Sequence, residues 1–203
     1  MTTSAISILP HVRPGDEAAA TRIYVDALIQ KLRPFFGTAE AAAGFLGPHM
    51  RRDRAVTAIR DGRIVGIAGF NLDGKGLFEP RWRDFRSKFG AFGAAIRVAG
   101  LSLLEKQDEP DCLAMDGIAV DETARGTGIG SALLEAVVAI ARRKGRKTVR
   151  LDVIDTNPRA RALYERHGFV AGAPRALGLF EPIFGFTSST PMTRHVAGGT
   201  GDA

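Results

Sequence analysis

The sequence predicts an α/β sandwich with some parallel strand pairing. Three observations carry that reading. Strand-like and helix-like patterns alternate through the second half of the 203-residue chain. The first half holds a hairpin signal, two apolar runs flanking Asp61-Gly62. A glycine-rich turn, Arg125-Gly126-Thr127-Gly128-Ile129-Gly130-Ser131, follows a strand pattern and opens a helix.

Taken in order, residues 5–12 alternate Ile6 and Ile8 before Pro10. They read as an edge strand, where proline is tolerated. Asp16 and Glu17 open a helical pattern over 17–36, with Tyr24, Leu28, Leu32 and Phe35 on one face. Residues 39–50 suit a second, shorter helix. Residues 55–71 suit a hairpin, because Asp-Gly favours a type I′ turn. One or two helices are expected between about 81 and 106.

Residues 112–120 then read as a strand with a break at Gly117. A helix is predicted from Gly126 to about Lys144, burying Ile129, Leu133, Leu134, Val137, Val138 and Ala141 and stopped by Gly145. Val149, Leu151 and Val153 alternate with Arg150 and Asp152, a strand pattern. Asn157-Pro158 predicts an N-cap and a first helical residue, and His167-Gly168 an end. Residues 169–173 and about 184–196 are the last strand candidates. The expected order is β-α-α-β-β-insert-β-α-β-α-β-β, with no internal repeat and no second core.

Composition narrows the class. Hydrophobic residues are 45% and charged residues 25%, ordinary for a globular chain and far from disorder, a collagen-like fibre or a miniprotein. The lone Cys112 excludes an intramolecular disulfide and a cysteine-rich zinc site. His11, His49, His167 and His195 show no metal-ligand spacing, so no metal is expected. The start of the chain lacks a basic segment with a long apolar core, and no run of about 18 apolar residues occurs. A cytoplasmic protein without membrane contact is the expectation. The net charge of +6 suits an anionic ligand, nucleic acid, or equally a basic surface with no dedicated partner.

The glycine loop is the sharpest signal. Its glycines let the backbone approach a ligand, and the first N–H groups of the following helix lack internal partners. With Arg125 alongside, this is a phosphate site. A Walker A loop is excluded because no lysine follows Gly130. A dinucleotide fingerprint places its third glycine one residue later, although Asp152 lies near the position of a ribose-binding acid. The loop also comes late in the chain, after hairpin strands, which weighs against that reading.

Arg125-x-x-Gly128-x-Gly130 fits a third pattern in full, [QR]-x-x-G-x-[GA], the pyrophosphate loop of the GNAT superfamily of acetyl-CoA-dependent N-acetyltransferases. Two further segments resemble the same family in the right order. Gly117-Ile118-Ala119-Val120-Asp121 resembles its fourth strand. Residues 157–169, from Asn157-Pro158-Arg159-Ala160 through Leu163-Tyr164 to Gly168-Phe169, resemble its N-x-x-A-x-x-[LF]-Y-x-x-x-G-F block. The resemblance covers about 112–170; the first 71 residues fit it by element order only.

The resemblance implies a mixed central sheet flanked by helices, with a helical insertion (72–111) between the third and fourth strands. It implies a single acetyltransferase domain over 1–196 and leaves 197–203 as a disordered tail. Acetyl-CoA would be the co-substrate, and an amine would attack its thioester directly. Arg125, Gly126, Thr127, Gly128, Gly130 and Ser131 would cradle the pyrophosphate. Ile118 and Val120 would give main-chain contacts to the arm, Asn157 would hydrogen-bond it, and Ala160 would lie beside it. Tyr164 matches the acid that protonates the leaving thiolate; a phenol with a pKa near 10 keeps its proton at neutral pH. Asp116, an acid in an otherwise apolar strand, is the base candidate, because burial would raise its pKa. Capping the turn at Gly117 is its plainer role, and Asp152 is the reserve base. His167 reads as a helix cap and Cys112 as core.

About forty residues, 72–111, exceed the short link usual in that family. Phe78, Trp82, Phe85 and Phe89 alternate there with Arg81, Arg83, Arg86 and Lys88. A lid, a pocket wall, a dimer contact, a nucleic-acid surface and an extra helical layer all suit that pattern. The acceptor is expected to be a small-molecule or peptide amine, with nucleic acid disfavoured as a partner. Phe180, Phe184 and Phe186 suit a homodimer or a pocket. A non-catalytic CoA-binding regulatory module on the same fold is the alternative function.

Overall fold

The computed structural model describes residues 5–102, 109–178 and 181–196. Strand β1 is Ser7–Leu9, helix α1 Glu17–Phe36 and helix α2 Ala39–Leu46. The Thr38 hydroxyl caps α2 by accepting from the Ala41 N–H at 3.2 Å, and a 3-10 turn, Gly47–His49, follows it. The hairpin forms as β2, Ala55–Arg60, and β3, Arg63–Asn71, and Asp61 and Gly62 take φ of 50° and 75°. A type I′ turn needs positive φ at both central residues.

The insertion is helical. Helix α3, Trp82–Ser102, breaks direction at Gly90. Strand β4, Cys112–Val120, helix α4, Ile129–Arg143, strand β5, Thr148–Ile154, and helix α5, Pro158–Arg166, follow. The chain closes with β6, Val170–Ala171, β7, Arg175–Ala176, α6, Glu181–Phe184, and β8, Ser188–His195. Among the described residues the strands form one sheet ordered β1-β2-β3-β4-β5-β8-β6, with β7 also on β8. Among the described residues only the β4–β5 pairing is parallel.

Alternation along the central strands sends side chains to both faces. Val56, Ala58, Ala68 and Phe70 join Leu133, Leu134, Val137 and Val138 of α4 in the main core. Ala55, Ile59 and Ile67 face the other way and meet Ala20 and Tyr24 of α1. All six residues predicted for the buried stripe of α4 are buried.

Several expectations need correction. Helix α4 starts at Ile129, not Gly126, because Gly126 and Gly128 take φ of 78° and 83°, which no right-handed helix admits. Phe184 belongs to α6 rather than the last strand, and β7 precedes it. A second core does exist: α1, α2, α3 and α6 enclose Phe35, Phe36, Phe45, Phe85, Phe184 and Phe186. Cys112 is half-buried rather than fully in the core. The expected tail 197–203, Phe180 and residues 103–106 of the insertion lie outside the described residues.

Candidate active site

The parting of two strands creates the site. β4 and β5 pair only at Cys112, Leu113 and Ala114. Beyond them β4 keeps β3 on one side, and its other edge lines a groove of about 760 Å³. Val153 and Ile154 of β5 and Asn157, Ala160 and Tyr164 at α5 form the opposite wall. At the point of parting β4 carries a bulge. Gly69 faces Gly117 and Phe70 faces Met115, leaving Asp116 as the extra residue. A bulge re-aims its side chain and bends the strand. The Asp116 carboxylate accepts the Leu77 N–H at 3.3 Å.

The glycine loop closes one end of the groove. Its left-handed Gly128 precedes α4, and no side chain caps that helix. The N–H groups of Ile129, Gly130 and Ser131 are therefore the unpaired first-turn donors of a 15-residue helix. A Cβ on Gly130 would approach Leu163 Cδ2 to 3.3 Å, so the loop fits closely over α5. Arg125, Arg159 and Arg166 add positive charge to the same groove. Arg125 bonds Glu122 at 3.1 Å and the Val120 carbonyl at 3.2 Å.

The structure brings together Asp116, Ile118, Val120, Arg125, Gly126, Gly128, Gly130, Ser131, Asn157, Ala160 and Tyr164 around this groove. Thr127 is the exception. It does not line the groove; its hydroxyl donates to the Ala124 carbonyl at 2.7 Å and bonds Arg60 at 3.0 Å, which closes the loop. Asn157 caps α5 as predicted, accepting the Ala160 N–H at 3.1 Å.

His167 does more than end a helix. Its Nε2 lies 2.9 Å from Ser131 Oγ and its Nδ1 2.8 Å from Glu135 Oε1. Glu135 also takes Arg194 at 2.6 Å. Burial pushes the Glu135 carboxyl up, but the Arg194 and His167 hydrogen bonds outweigh it and hold the pKa below the usual range. A fixed carboxylate therefore orients the imidazole that meets the loop serine.

A second cavity, about 1000 Å³, opens on the far side of Asp116. The two cavities share Leu28, Lys31, Asp116 and Asp152. Tyr24 lies here, 6% exposed. Burial, the Asp116 charge and Tyr164 together push its phenol well above its ordinary pKa. Tyr164 is 7% exposed, and burial pushes its pKa up to about 12. Sequence reasoning placed Tyr24 and Leu28 on a core-facing stripe and passed over Lys31. The spacing 24, 28, 31 of one helix face was the available signal.

The model of the Acetyltransferase (GNAT) family matches residues 23–169. The chain belongs to the GNAT acetyltransferase family. Members of this family use acetyl-CoA. The GNAT fold also recurs among solved structures. One described as an acetyltransferase is 24% identical, with a TM-score of 0.60 over 94% of this chain and 99% of that one. The ribosomal-protein-S18-alanine N-acetyltransferase from Escherichia coli is 17% identical, at 0.56 over 98% and 99%. An N-acetyltransferase from Staphylococcus aureus Mu50 is 18% identical, at 0.60 over 95% and 99%. At such identities the likeness is one of fold. No curated protein matches the chain. Among the described residues no helix is long and apolar enough to cross a membrane.

Proposed function

We propose that this protein is an acetyl-CoA-dependent N-acetyltransferase that moves the acetyl group directly to a primary amine. One observation carries the reading. The groove that starts at the glycine loop ends at Asp116, where it meets a second cavity. The two ligands of such a reaction would meet there.

The groove's residues fit acetyl-CoA. Ile129, Gly130 and Ser131 offer N–H donors, and Arg125, Arg159 and Arg166 offer charge, to a pyrophosphate. The edge of β4 that faces away from β3 at Ile118 and Val120, where the Val120 carbonyl also takes Arg125, suits an extended arm joining as a strand would. Asn157 spends its carbonyl oxygen on the helix cap, which leaves its amide NH2 as the donor to that arm. Bound acetyl-CoA supplies an acetyl thioester, whose carbonyl carbon forms the new C–N bond while the C–S bond breaks.

Asp116 takes the proton that the attacking amine must lose, either directly or through water. Tyr164 acts at the sulfur. With a pKa of about 12 the phenol is a weaker acid than a thiol, whose pKa is about 8.5. Complete transfer to the departing thiolate therefore runs uphill. The Tyr164 hydroxyl instead stabilises that charge as a hydrogen-bond donor while keeping its own proton.

The decisive experiment pairs calorimetry with thiol release. Wild type should bind acetyl-CoA and not NADH. Tyr164→Phe and Asp116→Asn should each lower kcat by about tenfold or more while leaving acetyl-CoA affinity within about twofold. Acetyl-CoA binding by wild type without thiol release for any amine would leave a CoA-binding module as the better description, and unchanged turnover in both variants would remove the roles given to Asp116 and Tyr164. Absence of acetyl-CoA binding would remove the reading.

A further inference from the structure

The second cavity has the chemistry of an acceptor site, and its walls select a substrate class; this inference rests on the proposed acyl transfer. Its volume of about 1000 Å³ exceeds what a small alkylamine fills. It lies at the upper end of the range for drug-sized ligands. Phe36, Phe85, Val98, Phe184 and Phe186 form its apolar wall. Eight of the chain's twelve phenylalanines belong to the core beside this cavity, not to the main core under the sheet. Trp82, the single tryptophan, stands at this cavity 49% exposed. Its ring is available there to an apolar ligand.

Charge is distributed in a way that limits the ligand's cations. The acids among the lining residues are Glu79, Asp116 and Asp152, and the bases are Lys31, Arg150 and Arg175. Arg51 holds Glu79 at 2.9 Å, and Glu109 holds Arg150. Asp116 and Asp152 are the two acids shared with the cofactor groove. One ammonium group is therefore attracted to the junction. Lys31 stands at that junction with the two acids; along the rest of the cavity Glu79 and Arg150 are already paired, and Arg175 is the remaining base that a polycation would meet.

We infer that the acceptor is a small monoamine whose amino group is borne on an aromatic or similarly bulky apolar body. Polyamines and aminoglycoside-like polycations are not its substrates. The amino end lies at Asp116 and Asp152, and the apolar body fills the space enclosed by α1, α3 and α6.

Phenethylamine, n-propylamine, spermidine and a lysine-containing peptide test this at saturating acetyl-CoA. Thiol release gives kcat/KM, and calorimetry gives acetyl-CoA affinity independently. Phenethylamine should exceed each of the others by at least about tenfold, because ring burial contributes to its binding alone. Trp82→Ala should raise the KM for phenethylamine severalfold and leave acetyl-CoA affinity unchanged. Val98→Phe, which fills the cavity, should depress phenethylamine turnover more than propylamine turnover. Equal rates, or a preference for spermidine or the peptide, would overturn the inference while leaving acyl transfer intact. Acetyl-CoA binding with no turnover of any of the four amines would also overturn it. Failure to bind acetyl-CoA would overturn both.

Discussion

The two tyrosines of the chain, Tyr24 and Tyr164, are both buried, so alkaline titration reads the site directly. Burial raises the Tyr164 pKa from 10.0 to about 12. Tyr24 moves in the same direction through burial and the nearby Asp116 charge. The sign follows from linkage. Below pH 10 both the folded and unfolded chains keep the phenolic protons, and stability is unaffected. Above it the unfolded chain ionises first, and stability falls until the folded pKa is passed. For Tyr164 alone the loss reaches about 2 to 3 kcal/mol by pH 12, a sizeable part of a typical domain's stability. Phenolate absorbance should therefore rise late and together with the loss of far-ultraviolet dichroism, whereas urea-unfolded protein should titrate near pH 10. Tyr24→Phe leaves Tyr164 as the sole reporter. A native midpoint near 10 in that variant would refute the burial of Tyr164 and the hydrogen-bond role assigned to it.

Other outcomes follow from named contacts. Gly128→Ala forces a Cβ onto a residue at φ +83°, with open space around it. Backbone strain alone should cost about 1 kcal/mol in chemical denaturation and weaken acetyl-CoA binding measurably. His167→Gln loosens the Ser131 hydroxyl from the Glu135–Arg194 pair. The acetyl-CoA Kd should rise about threefold to tenfold by calorimetry, with phenethylamine KM unchanged. Gly69→Ala would place a Cβ 2.8 Å from Leu77 Cδ2 and 3.4 Å from Tyr24 Cε2. Overpacking should lower the urea midpoint by the equivalent of about 1 to 3 kcal/mol.

Local signals made much of this molecule legible. The Asp61-Gly62 turn, the α4 stripe and the Asn157 cap each depend on neighbours within a few residues, and each formed where the pattern put it. Pairing across distance was less visible. Ser131 and His167 lie 36 positions apart, so helix-end chemistry alone described the histidine. The stripe of α1 looked like an ordinary core face, yet Tyr24, Leu28 and Lys31 surround the bulge at Asp116. Leu28 Cδ1 comes within 3.1 Å of where a Gly117 Cβ would stand. The phenylalanines of the insertion spread over a patterned amphipathic sequence that suited several surfaces. Only the break at Gly90 and the arrival of α6 from the far end of the chain enclose them.

The junction at Leu28, Lys31, Asp116 and Asp152 has a consequence for inhibitor chemistry. Two compartments that adjoin along shared residues invite a single molecule that spans both. A CoA thioether tethered through a short carbonyl linker to an arylalkylamine would make its second docking event intramolecular. Its avidity would then grow with the local concentration the tether imposes, without any new contact. The useful tether length is set by the gap between β4 and β5. A series of such conjugates, ranked by affinity, would measure that opening in solution as a ruler does.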